Sequence, residues 1–131
     1  MRNVQNHIRK IATLPDEELM SEAKDMGAPI DLLYYIKKHG KIPVPIFSAG
    51  GIATPADASL LMQLGADTVF VGSGIFMSED PERRAKAIVE AATHFKDPAV
   101  LRKISEGLGT AMSGIDVASM PDEERMAKRG W

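Results

Sequence analysis

The 131-residue chain has no cysteine, so disulfides, thiolate metal sites and cysteine nucleophiles are excluded from the start. Histidine is scarce. His7, His39 and His94 are far apart in sequence and show no metal-ligand spacing, so no metal site is expected. Aromatic residues are few, at 5%. Neither sign of charge dominates: the formal net charge is −2 and the two signs are interspersed, which gives no electrostatic footprint for nucleic acid. No apolar run reaches membrane-spanning length, and the N-terminus carries no signal-peptide pattern. The 44% apolar content is that of a globular protein, and the length suits one domain. The lack of cysteine is compatible with a reducing cytosol without establishing one; a cytoplasmic location is the expectation.

What the chain does have is clear punctuation. Residues 1–12 read as the tail of a helix, with Val4, Ile8 and Ile11 at helical spacing and no capping residue at Met1. Pro15, Asp16 and Glu17 open a second helix that Gly27 ends. Residues 29–38 form a third, with Lys37, Lys38 and His39 suited to its C-terminal dipole and Gly40 as its stop. Residues 42–49 are a strand candidate whose Pro43 and Pro45 fit best at its beginning.

Thr54-Pro55-Ala56-Asp57 is a strong helix start: a hydroxyl cap, proline at the first position and an acid in capping-box position. That helix puts Ala58, Leu61 and Met62 on one face and stops at Gly65. Residues 67–71 form a second strand, apolar enough to predict burial. Asp80-Pro81 begins an amphipathic helix with a stripe of Ala85, Ile88, Val89, Ala92 and Phe95, and with Glu82 and Lys86 ordered for an i,i+4 pair. Asp97-Pro98 begins another helix, ending near Gly107 or Gly109. The eight methionines read as core filling, and Lys37, Lys38, Lys86 and Lys103 as solvated. Residues 119–131 form a charged tail with one helical turn after Pro121. The expectation is an α/β chain forming a single partial domain: a helical connection (1–40), a β-α-β unit (41–78), and C-terminal helices and tail (79–131).

Two glycine-rich turns carry the functional signal, Phe47-Ser48-Ala49-Gly50-Gly51 and Phe70-Val71-Gly72-Ser73-Gly74. Each follows a short apolar run, and the helix between them makes their two strand ends point the same way. Glycines let the backbone approach a ligand closely, and the helix starts beside them offer free N–H donors. Backbone N–H groups of Gly51 and of Gly72-Ser73, with the Ser73 hydroxyl, would converge on phosphate oxygens. Two such units in parallel resemble the last two β/α units of a (β/α)8 barrel, where phosphate often binds after strands 7 and 8. The competing reading is that the glycines serve only tight turns and packing. No lysine sits at either strand end, and Ser73 has no histidine or acid nearby in sequence, which makes it a donor rather than a nucleophile.

The run Gly50-Gly51-Ile52-Ala53-Thr54-Pro55-Ala56-Asp57-Ala58 is more specific. With Met62-Gln63-Leu64-Gly65-Ala66-Asp67, Val69-Phe70-Val71-Gly72-Ser73-Gly74-Ile75-Phe76 and Ala87-Ile88-Val89-Glu90-Ala91, it resembles the synthase (lyase) subunits of pyridoxal 5′-phosphate synthase, the PdxS/SNZ family. The likeness continues through Thr93-His94-Phe95, Gly107-Leu108-Gly109-Thr110-Ala111-Met112 and Arg125-Met126 to Arg129-Gly130-Trp131. The resemblance implies the C-terminal part of a TIM barrel. It implies synthesis of the vitamin B6 cofactor from ribose 5-phosphate, glyceraldehyde 3-phosphate and ammonia, with pyridoxal 5′-phosphate as product rather than cofactor. It further implies a glutaminase subunit that supplies the ammonia, and other synthase subunits assembled as dodecamers. By the same resemblance Gly51, Gly72 and Ser73 bind the pentose phosphate, and Arg9 matches an arginine that helps hold glyceraldehyde 3-phosphate.

The two imine-forming lysines of that family lie on earlier strands and have no counterpart here. A whole barrel needs about 250 residues. The expectation is therefore a truncated chain, inactive as a synthase on its own. Lys10 to Leu14 is shorter than the family's stretch, Ile46 stands for asparagine, Pro45 interrupts the strand, Thr68 replaces glycine and Met77 replaces a lysine. These departures keep the cradle but count against full turnover. Two other readings stand beside this one. The first is a non-catalytic assembly or regulatory partner of a complete synthase subunit, or a truncated gene product. The second is another phosphate-binding barrel, against which the matching tail argues.

Overall fold

The computed structural model describes residues 1–114 together with Asp116, Ala118, Met120 and Pro121. The helical turn expected after Pro121, and the matching residues from Arg125 to Trp131, lie outside the described residues. Three helices come first: α1 (Arg2–Thr13), α2 (Asp16–Met26) and α3 (Ile30–His39). Their apolar faces close on one another through Ile8, Ile11, Leu19, Ala23, Leu33 and Ile36, all buried. Val4, expected on that face, is 40% exposed. The helix termini follow the expected punctuation, with α2 ending at Gly27 and α3 at Gly40. Lys37 departs from its solvated assignment. Its ammonium reaches across to Asp16 Oδ1 at 2.5 Å and donates to the Leu14 carbonyl at 2.6 Å, tying α3 to the α1–α2 turn.

The second half holds two short parallel strands, β1 (Phe47–Ala49) and β2 (Thr68–Phe70), with α4 (Pro55–Gln63) between them. Phe47 pairs with Thr68 and Ala49 with Phe70, so both strands end at the same sheet edge. The first strand is much shorter than the expected 42–49. Pro43 and Pro45 have no N–H to give a ladder. Pairing starts only at Ile46, whose N–H donates to Asp67 Oδ2 at 2.8 Å while its carbonyl accepts from the Asp67 N–H at 2.9 Å.

α4 opens as expected. The Thr54 hydroxyl accepts from the Asp57 N–H at 3.2 Å, and Asp57 Oδ2 accepts from the Thr54 N–H at 2.9 Å. Such a cap is worth about 1 kcal/mol. Beyond β2 come α5 (Ser73–Phe76), α6 (Pro81–Thr93) and α7 (Pro98–Ser105), the last two capped by the Asp80 and Asp97 carboxylates. The core here is Ile52, Ala58, Ile88 and Ala91, with Leu61, Val69, Val71, Ile75, Leu101 and Ile104 packed around it.

Three expectations fail in this half. α6 buries Arg84, Ala87, Ile88 and Ala91, while Val89 is 64% exposed. The true stripe is turned from the predicted one because α6 packs closely on α4, where small alanines serve better than a bulky valine. β2 is not buried either: Phe70 is 56% exposed and meets Phe47, 51% exposed, edge to face at 5.0 Å between centroids. Helices cover one face of the pair, and no described residue covers the other. None of the described methionines is buried, so core filling is the wrong reading for them. Among the described residues no helix is long and apolar enough to cross a membrane.

Candidate functional site

Because the strands are parallel and in register, both glycine turns emerge side by side. After β1 the chain turns through Gly50 at φ 88° and Gly51 at φ 70°, a left-handed pair that residues with a Cβ rarely adopt. After β2 it passes Val71 and Gly72 and enters the single turn of α5. Gly74 lies against the first turn at backbone distance. A Cβ there would stand 1.8 Å from the Ile52 carbonyl oxygen, so only glycine permits this approach.

Between the turns lies a cleft of about 320 Å³, lined by residues 51–53, 73–74 and 112–114. That volume is at the small end for ligand sites, the right scale for a compact polar group. Among the described residues the N–H groups of Gly51, Ile52, Ser73 and Gly74 have no hydrogen-bond acceptor. The Ser73 hydroxyl is likewise unengaged there. The Ala53 and Thr54 N–H groups are not available, since both donate to Asp57 Oδ2, at 3.2 and 2.9 Å. Among the described residues no charged side chain lines the cleft. Met77, at the position expected to have lost a lysine, is 66% exposed. The arrangement offers several neutral donors to an anion. Hydrogen bonds of this kind to a charged group contribute about 1.5–3 kcal/mol each.

Of the expected site residues, Gly51 and Ser73 line this cleft together. Gly72 is exposed beside it, forms the cap of α5, and has open space where a Cβ would project. Arg9 does not join them. It is exposed on α1, where its backbone carbonyl accepts from the Thr13 hydroxyl at 3.1 Å. His94 is half-exposed and sits 3.5 Å from Glu90 on its own helix. Among the described residues no cluster of three potential metal ligands occurs.

Sequence reasoning missed how the third wall is held. Residues 112–114 follow a strap, residues 107–110, that runs past the start of α6. The Arg84 guanidinium, 2% exposed, donates from Nη2 to the Leu108 and Gly109 carbonyls, each at 3.1 Å. Glu79 bonds Thr110 twice: Oε2 accepts the Thr110 N–H at 2.7 Å, and the Glu79 N–H donates to the Thr110 carbonyl at 3.2 Å. The Thr110 hydrogen bonds hold the Glu79 carboxyl below its ordinary pKa, and the Arg84 charge acts in the same direction. A signal was present in the sequence. Arg84, Ala87, Ile88 and Ala91 recur at i, i+3, i+4 and i+7, which puts an arginine on the packed face.

The SOR/SNZ family matches residues 1–49. Proteins named pyridoxal 5′-phosphate synthase subunit PdxS from Halalkalibacterium halodurans, Natranaerobius thermophilus and Clostridium botulinum are each 58% identical over all 131 residues. The chain spans 44% of the length of each of these relatives.

Proposed function

Because the chain belongs to the SOR/SNZ family, as a partial chain relative to its PdxS relatives, we propose that it forms the phosphate-binding corner of a pyridoxal 5′-phosphate synthase site. The fold is then the last two β/α units of a TIM barrel with flanking helices. The reaction is condensation of ribose 5-phosphate, glyceraldehyde 3-phosphate and ammonia released from glutamine by a glutaminase partner, with pyridoxal 5′-phosphate as product. Gly51, Gly72 and Ser73 hold the pentose phosphate, and Arg9 contributes to glyceraldehyde 3-phosphate binding. Imine chemistry needs lysines, and neither strand carries one, so these residues bind and orient rather than react. One observation carries the reading: two glycine turns open into one cleft with unengaged N–H groups on both sides.

Titration of the ¹⁵N-labelled chain with ribose 5-phosphate tests it. Amides of Gly51, Ser73 and Gly74 are expected to shift together. Gly72→Val, whose side chain enters open space in the protein but crowds the ligand, is expected to weaken binding. Unchanged affinity in that variant, with the α4 and α6 amides undisturbed, overturns the assignment. The 131 residues alone, supplied with both sugar phosphates and ammonia, are expected to form no pyridoxal 5′-phosphate.

A second reading has one observation in its favour. Phe47, Phe70, Phe76 and Met77 are all more than half exposed around an open two-stranded sheet. A chain with that surface suits a non-catalytic assembly partner of a complete synthase subunit. Co-purification with such a subunit favours this reading over a phosphate site acting alone.

A further inference from the structure

We propose that Glu79 and Arg84 are positioning residues for the cleft, pinning the 107–110 strap so that residues 112–114 stand as its outer wall against bound phosphate. The proposal rests on the phosphate reading given above. Three anchors hold the strap. The Leu108 side chain is buried at 6% exposure. The Arg84 guanidinium binds two successive carbonyls, and the two hydrogen bonds between Glu79 and Thr110 form a closed bridge. Met112, the first strap-side residue of the cleft, is only two positions beyond Thr110. A chain pinned at residue 110 has little freedom left at 112.

The way these two side chains are used separates positioning from plain packing. Glu79 is exposed and covers no core, so its bond to Thr110 serves the strap and little else. Bringing a guanidinium out of water is costly unless it is well bonded. What Arg84 obtains in return is the two strap carbonyls, while its Nε has no partner among the described residues. Gly109 allows the contact, since a Cβ there would stand 2.7 Å from Glu79 Oε2. Both side chains thus face the segment that leads into the cleft, and neither lines the cleft itself.

The test follows amides of the ¹⁵N-labelled chain during titration with ribose 5-phosphate. In the unaltered protein, residues 112–114 are expected to respond together with Gly51 and Ser73. Glu79→Ala, a surface change that leaves the core intact, is expected to weaken binding about fivefold and to speed Thr110 amide exchange by a similar factor, the net weight of one ordinary hydrogen bond at a solvent-exposed position. Glu79→Gln keeps an acceptor oxygen for Thr110 and is expected to restore most of both. Arg84→Lys keeps the charge but loses the fork, and is expected to fall between them. If Glu79→Ala frees Thr110 without changing affinity, or if residues 112–114 stay silent while Gly51 and Ser73 respond, positioning is wrong and the phosphate reading survives. Silence at Gly51 and Ser73 as well removes the phosphate reading, and this proposal with it.

Discussion

The two halves of the chain solve different problems with the same helical vocabulary. The α1–α3 cluster buries large aliphatic residues, with Leu19 at 0% and Ile11 and Leu33 at 1% exposure, and straps its surface with Lys10–Glu22 and Lys37–Asp16 ion pairs. The strand half is built on small residues, Ala58, Ala87 and Ala91, and on backbone contacts as close as that of Gly74 with Ile52. It leaves Phe47 and Phe70 half in water and keeps a cleft open at one sheet edge. The first half stores stability in side-chain volume. The second gives up volume so that main chain can approach main chain. Among the described residues direct bonds between them are few, chiefly a 3.4 Å contact from the Gln5 side-chain amide to the Gly65 carbonyl.

The sharpest way to break this comparison is Leu19→Ala. Removing a fully buried leucine is expected to cost about 2–5 kcal/mol, more where the surroundings cannot collapse into the space. Denaturant unfolding gives the size, and amide exchange gives the location. Protection is expected to fall across α1–α3 and to hold in α4 and α6, as for separate cooperative units. Equal loss in both halves would show one unit and erase the distinction. Gly74→Ala is the counterpart in the strand half, adding one methyl where the first half loses three carbons. The Ile52 carbonyl must move, at a cost of about 1–3 kcal/mol typical of forced overpacking. The α5 and Gly51 amides are expected to shift while α1–α3 stays unchanged. A neutral substitution would mean that close backbone approach is not what shapes the cleft.

Most of the fold was legible in the sequence because local chemistry wrote it. Thr54-Pro55-Ala56-Asp57, Asp80-Pro81 and Asp97-Pro98 each cap a helix where expected, since caps need only neighbours within one turn. The two glycine turns reach one cleft because parallel pairing follows from the helix between them. What could not be read depended on partners distant in sequence. The orientation of α6 was set by its fit to α4, which turned Val89 outward and Arg84 inward. The burial predicted for residues 67–71 failed at Phe70 because sequence alone does not reveal that only one sheet face is covered. Lys37 looked like a solvated helix end until the α1–α2 turn came within its reach. Arg9, which the resemblance assigns to glyceraldehyde 3-phosphate rather than to the pentose phosphate, is not among the described residues lining the cleft.

The smallest expected effect tests the strand half at its most exposed anchor. The Thr110 hydrogen bonds hold the Glu79 carboxyl below its ordinary 4.5, with the Arg84 charge assisting, burial opposing and the neighbouring Asp80 charge also opposing. A carboxyl depressed on folding contributes stability that is complete above the unfolded value and is lost as pH falls through the lower folded value. Acid is therefore expected to release the strap late, below the range in which free glutamates titrate. The Glu79 carboxyl and the Thr110 amide, followed by NMR from about pH 6 to about pH 2, should share one midpoint below the usual carboxylate value. Glu79→Gln should abolish the Thr110 transition. The exposed Glu82–Lys86 pair is the control with opposite sign: its hydrogen bond raises the Lys86 pKa above 10.5, so its contribution is present below that value and fades as pH rises through the folded one. Salt should weaken that pair readily, because water surrounds both charges. It should move the Glu79 midpoint less, since the leading cause there is a short-range hydrogen bond to the main chain. Equal salt sensitivity in the two would mean that the strap is held by general charge attraction, and that its anchor is no more specific than a solvated ion pair.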